Sequence, residues 1–117
     1  MPESGRSDPY DRGHVVWHDG LFRAGGRPWL VVSDANHPFH GEEYIVAGLT
    51  TTGRSGAVRL HTDDWVVGGL PKTSFVSPWF LTTLKHLEID RGVGMIDEAV
   101  LERIVDRIVG YLGARTA

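Results

Sequence analysis

Arg23-Ala24-Gly25-Gly26-Arg27-Pro28-Trp29-Leu30-Val31-Val32-Ser33 is the stretch around which the chain is organised. Gly25 and Gly26 allow backbone conformations that Cβ-bearing residues avoid, so the pair reads as a turn. Trp29 to Val32 is a short apolar run of β-forming residues bounded by turn signals, and it predicts a core strand. Pro28 is tolerated at the start of a strand, where its missing N–H costs no ladder bond. The pattern places Arg27 at the junction, with a permanently charged guanidinium at the mouth of a rigid sheet. On this stretch alone, a simple loop arginine ahead of a buried strand is the alternative.

Working outward, Gly13 to Asp19 is a short β-like run with Val15 and Trp17 on one face and Val16 and His18 on the other. Before it, Met1 to Arg12 is polar and contains proline, and is expected to be a flexible tail. After the central run, Asp34 to Gly41 reads as a surface loop. Tyr44 to Thr51 predicts a third strand and Ala57 to His61 a fourth. Gly68-Gly69-Leu70-Pro71 is a second breaker cluster. Ser74 to Trp79 and Thr82 to Ile89 are further strand candidates, with Pro78 requiring an edge or a bulge. Short strands with frequent turns predict a small barrel or sandwich. The last element differs. Ile96, Val100, Leu101, Ile104, Val105, Ile108, Val109 and Leu112 recur at helical spacing. Asp97 is the expected N-cap, Ile96 and Leu101 are spaced as a hydrophobic staple, and Gly113 stands at the C-terminal cap. The expected fold class is α+β, a small β-barrel closed by a C-terminal helix of about four turns.

With 117 residues, 41% apolar and 23% charged, the chain supports one globular domain. It has no cysteine, so disulfides and thiolate metal sites are excluded. Its first dozen residues are polar, which does not fit a secretory signal, and a cytoplasmic location is expected. The helix is a poor membrane element because Asp and Glu share its polar face with arginine. The net charge of −3 does not by itself point to nucleic acid. The charges are segregated, however. Gly20 to Ser33 and Tyr44 to Thr62 each carry two arginines and no carboxylate, and Trp65 to Leu87 carries only Lys72 and Lys85. One face of an otherwise acidic molecule can therefore be positive.

Three segments resemble MazF/PemK-type toxins, the growth-inhibiting endoribonucleases (mRNA interferases) of toxin–antitoxin pairs. They are Gly13 to Asp19, the Gly-x-Arg-Pro-like Ala24 to Ser33, and Val46-Ala47-Gly48-Leu49-Thr50-Thr51. Their order and spacing, with Gly68 to Pro71 and the terminal helix, cover residues 13 to 113 in register, so 13 to 117 is expected to be one domain of this type. The resemblance implies an SH3-like barrel, a homodimer, and cleavage of single-stranded RNA without metal or cofactor. It also implies neutralisation by a cognate antitoxin. By position it makes Arg27 the motif arginine and Thr50 the catalytic threonine. Arg54 and Ser55, in a glycine-flanked loop, are candidates for contact with RNA phosphate, and Arg23 and Thr51 are further RNA-binding candidates.

These residue types suit that chemistry. A 2′-hydroxyl attacking its own phosphodiester builds charge on the phosphoryl oxygens, to which a guanidinium and a hydroxyl can donate. An arginine stays protonated, so the acceptor of the 2′-hydroxyl proton is left open. There are departures from the family. His14 replaces a usual acidic residue, and Ser77-Pro78-Trp79-Phe80 stands where many members carry an Asp-Gln pair. Trp79 or Phe80 is expected in or beside the dimer interface instead. Two rival readings remain: a CcdB-like toxin that binds gyrase, and a degenerate barrel that only binds RNA or protein.

Each candidate also has a plainer reading. Thr50 to Thr52 could be β-branched strand filler, and Arg54 and Ser55 a solvated hairpin tip. The four tryptophans could stack bases, but core or interface packing is their commoner fate. His37-x-x-His40 and His14-x-x-x-His18 lack a third ligand at a familiar spacing, so no metal is expected.

Overall fold

In the computed structural model, which describes residues 8–20 and 25–113, the central run is strand β2, Arg27–Val31. Trp29, Leu30 and Val31 are all fully buried. Leu30 points into one apolar cluster, Trp29 and Val31 into another on the opposite face. Burial on both faces explains why the run is continuously apolar instead of alternating. β1 (His14–His18) and β3 (Glu43–Thr50) flank it, with Val16 opposite Trp29 on one side and Gly48 opposite Trp29 on the other.

Four more strands complete the sheet: β4 (Val58–Leu60), β5 (Trp65–Gly68), β6 (Ser74–Lys85) and β7 (Arg91–Ile96). All ladders are antiparallel, in the order β4-β6-β3-β2-β1-β7-β5. A flat sheet of this size would hold its edge strands about 29 Å apart at ~4.8 Å per step. The two edges are β4 and β5, which are consecutive in the chain. The five Cα steps from Leu60 to Trp65 span at most about 18 Å, less through the 3₁₀ turn at Thr62–Asp64. The sheet therefore has to curl into a nearly closed barrel.

Helix α1, Glu98–Tyr111, packs Val100, Leu101, Ile104 and Ile108 against Val15, Leu30, Leu49 and Val76. Burying each of these side chains is worth about 1.5–3 kcal/mol. Asp97 is the N-cap and accepts the Ala99 N–H at 3.0 Å, and both staple residues, Ile96 and Leu101, lie in the core. The second cluster joins Val16, Trp29, Val31, Tyr44, Val46 and Leu84, with Tyr10, Phe80 and Ile89 packed on it.

The observed elements differ from expectation in three places. The two strands expected at Ser74 to Trp79 and Thr82 to Ile89 form one strand, β6, that runs through Pro78. β4 pairs only with Ser74 to Val76, and the β3 ladder shifts register between Ala47 and Leu49, so Pro78 sits at a bulge where no ladder donor is missed. Strands β5 and β7 were not anticipated. The tail expected to run to Arg12 is already tied down from Tyr10, whose N–H donates to the Tyr44 hydroxyl at 3.0 Å; Arg12 Nε donates to the Val32 carbonyl at 2.8 Å. Among the described residues, no helix is long and apolar enough to cross a membrane.

Candidate active site

At one end of the barrel, the end of β1, the start of β2, the end of β3 and the start of β6 converge. Together with Leu70, Pro71 and Lys72 they wall a cleft of about 260 Å³ that includes Trp17, Arg27, Thr50, Thr51 and Ser74. A second hollow of about 370 Å³, lined by Arg59, His61 and Thr62 among others, shares the Leu70–Lys72 wall and Ser74. Among the described residues, no carboxylate lines either one. Asp19, directly after β1, accepts the Trp17 indole N–H at 2.7 Å.

Arg27 enters β2 directly after Gly26, whose φ is +74° and whose Cβ, if present, would lie 2.8 Å from the His18 carbonyl, the Asp19 carboxylate and the Trp17 indole. No other residue fits that entry without displacing the end of β1. The Arg27 guanidinium is half-buried, its Cζ 5.4 Å from the Phe80 ring centre and 5.7 Å from that of Trp29. Two residues on from the Trp29–Gly48 pair, in the direction of this end, lie Arg27 and Thr50. The two-residue period of strands puts both on the same face.

The row continues to either side. His18 is opposite Arg27, Phe75 is opposite Thr50, and Arg59 is opposite Phe75. Thr50 Oγ1 accepts the Thr52 N–H at 3.1 Å. With a lone pair used in this way, the hydroxyl hydrogen is left to donate to an anion. The cleft thus combines two cations, Arg27 and Lys72, with an oriented hydroxyl in a setting where anionic oxygens are the complementary ligand.

The sequence-predicted candidates are distributed unevenly. Arg27, Thr50 and Thr51 line the cleft together. Arg54 lies elsewhere, its guanidinium 5.5 Å from the ring centre of Trp79, and Ser55 is exposed in the same loop. Arg23 lies outside the described residues. Trp79 is 38% exposed and meets Tyr111 edge-on at 6.2 Å, whereas Phe80 turns inward onto Trp29. Lys72 and Trp17 were missed as cleft residues. The signal for Lys72 was present, a cation just after a breaker cluster in a stretch without carboxylates.

The histidine pairs do not assemble into ligand sets. His37 Nδ1 accepts the Phe39 N–H at 3.0 Å, His14 Nδ1 accepts the Asp11 N–H at 2.9 Å, and His40 packs 5.6 Å from the Tyr44 ring. Among the described residues no three His, Asp or Glu side chains converge. Burial pushes the Tyr44 phenol above its ordinary pKa, but Tyr44 is at the far end of β3 from Thr50, hydrogen-bonded to His86 at 2.7 Å.

No family model matches the sequence, and no curated protein matches it. Solved structures do. An endoribonuclease from a mycobacterial species, in complex with its cognate antitoxin, is 24% identical over 95% of this chain and 100% of its own, with a TM-score of 0.75. The MazE–MazF complex of Deinococcus radiodurans matches at 21% identity over 93% of this chain and 100% of that one, with a TM-score of 0.72. The Mycobacterium tuberculosis toxin MazF-mt6 is 23% identical over 86% of this chain and 99% of that one, with a TM-score of 0.64. Among the described residues, seven antiparallel strands in a nearly closed barrel and one C-terminal helix, with matches over almost the whole chain, identify the fold as that of the MazF toxins.

Proposed function

We propose that this chain is a toxin endoribonuclease that cleaves single-stranded RNA by 2′-hydroxyl attack, leaving a cyclic phosphate and a 5′-hydroxyl. The observation that carries the reading is that Arg27 and Thr50 lie on one face and line one cleft in which, among the described residues, there is no carboxylate. As the 2′-oxygen attacks, negative charge grows on the non-bridging oxygens. Arg27 offers them a planar fork of donors and Thr50 offers one more, each such donor worth a few kcal/mol of barrier. The nucleophile belongs to the substrate and the charge is met by Arg27 and Lys72, so the reaction as drawn requires no metal. Arg59, beyond the shared wall, extends the cationic track for the RNA backbone. The test is incubation of the purified chain with a single-stranded RNA. Cleavage supports the reading, whereas tight binding without cleavage would replace it with a binding barrel.

Two partners belong to the same proposal. That similar folds were solved with antitoxins supports a cognate antitoxin here. A two-fold homodimer is supported by exposed apolar side chains at Trp79, Tyr111 and Leu112, which are 38%, 52% and 71% exposed. A two-fold contact uses one patch twice, so a single substitution acts on both sides. Trp79→Glu is expected to convert a dimer to a 12.9 kDa monomer in light scattering at micromolar concentration. A wild type that is already monomeric would defeat the dimer.

A further inference from the structure

We infer that Phe80 and Gly48 are positioning residues that seat the Arg27 guanidinium for its phosphate, an inference that rests on the nuclease reading above. The Phe80 and Trp29 rings have centres 5.2 Å apart and planes inclined at 54°, and the Arg27 Cζ lies within 6 Å of both ring centres. A guanidinium over aromatic faces at this range is attracted by their negative π-clouds. The attraction also limits the rotamers of a long, flexible side chain before substrate arrives, so less order has to be imposed on binding.

The seat depends on a residue with no side chain. A Cβ at position 48 would lie 2.6 Å from the Phe80 ring and 3.3 Å from Trp29. Gly48 pairs with Trp29 across the β2–β3 ladder and falls within the register shift between Ala47 and Leu49, where β6 departs from regular pairing. That irregularity lets the Phe80 ring lie over Gly48. Position 48 therefore reads as glycine because an aromatic ring occupies the space of its side chain, two residues before Thr50.

The experiment compares wild type, Phe80→Leu, Phe80→Tyr and Gly48→Ala in steady-state cleavage of a short single-stranded RNA. Side-chain NMR of Arg27 is recorded alongside, and the same spectra report whether each variant is folded. Phe80→Leu is expected to lower kcat about 10- to 100-fold, as small misplacements of a reacting group do. KM should stay within about threefold, since the substrate's other contacts are untouched. Phe80→Tyr, which keeps the ring, should retain most of the activity, and Gly48→Ala should move in the direction of Phe80→Leu. The Arg27 δ-protons, shifted by ring currents in the wild type, should return towards ordinary positions in Phe80→Leu. Unchanged kcat in a folded Phe80→Leu overturns the positioning role while leaving the nuclease reading intact. So does an equal loss in Leu and Tyr variants with unmoved Arg27 signals. A folded wild type that leaves RNA uncut overturns the nuclease reading and the role with it, even where the NMR shows Arg27 on its seat.

Discussion

Arg27→Ala is expected to lower RNA cleavage about a thousandfold or more while leaving the barrel folded, because it removes a preorganised cation from the developing charge. The half-buried guanidinium rests on Trp29 and Phe80. Its loss should cost stability about 1–2 kcal/mol, the scale of cation–π contacts at a partly desolvated site. Thermal unfolding recorded beside the cleavage assay separates the two effects. Arg27→Lys sharpens the test, because it keeps the charge and discards the planar fork, and it should recover little of the rate if bidentate donation matters. Full activity in Arg27→Ala would sink the catalytic assignment, and collapse of both activity and fold would make the residue structural.

Thr50→Val should slow cleavage by about one to three decades, the range for losing one donor to an oxyanion. Valine keeps the β-branched shape at the end of β3, so the strand itself is little disturbed. The substitution also removes the acceptor for the Thr52 N–H, a bond that turns the chain out of the strand. Thr50→Ser restores both functions of the hydroxyl and should restore most of the rate. An unchanged rate in Thr50→Val would return Thr50 to the status of strand filler.

The helix and the central strands were legible because their signals are local. A 3.6-residue stripe, an Asp N-cap and a staple specify α1, and the apolar run after Gly25-Gly26 specifies β2. The missed strands fail for tertiary reasons. β5 is an edge strand with Val66 and Val67 65% and 61% exposed, so it shows no alternation. β7 carries Gly92 and Gly94, which lack the side chains of a strand pattern. Yet a Cβ on Gly94 would lie 2.8 Å from the Trp65 ring, so the glycine is there for close packing of β5. Pro78 predicted an edge or a bulge, and the pairing shows that it is the bulge.

The site was partly readable for the same reason. Arg27 and Thr50 announce themselves by type and by their places beside turns. The Phe80 seat does not, because it depends on which strands meet, and the cation at Lys72 gives no hint in sequence of which cleft it borders. Trp79 and Phe80 looked alike in sequence. Adjacent strand residues point to opposite faces, and the fold sends one outward and the other under Arg27.

The most direct measurement is mass spectrometry of the fragment ends after the purified chain is incubated with single-stranded RNA in EDTA. Internal attack by the 2′-hydroxyl, with charge met by Arg27 and Thr50, predicts a 2′,3′-cyclic phosphate on one fragment and a 5′-hydroxyl on the other, undiminished by the chelator. Fragments bearing 5′-phosphate and 3′-hydroxyl ends, or cleavage that appears only when a divalent cation is restored, would contradict it.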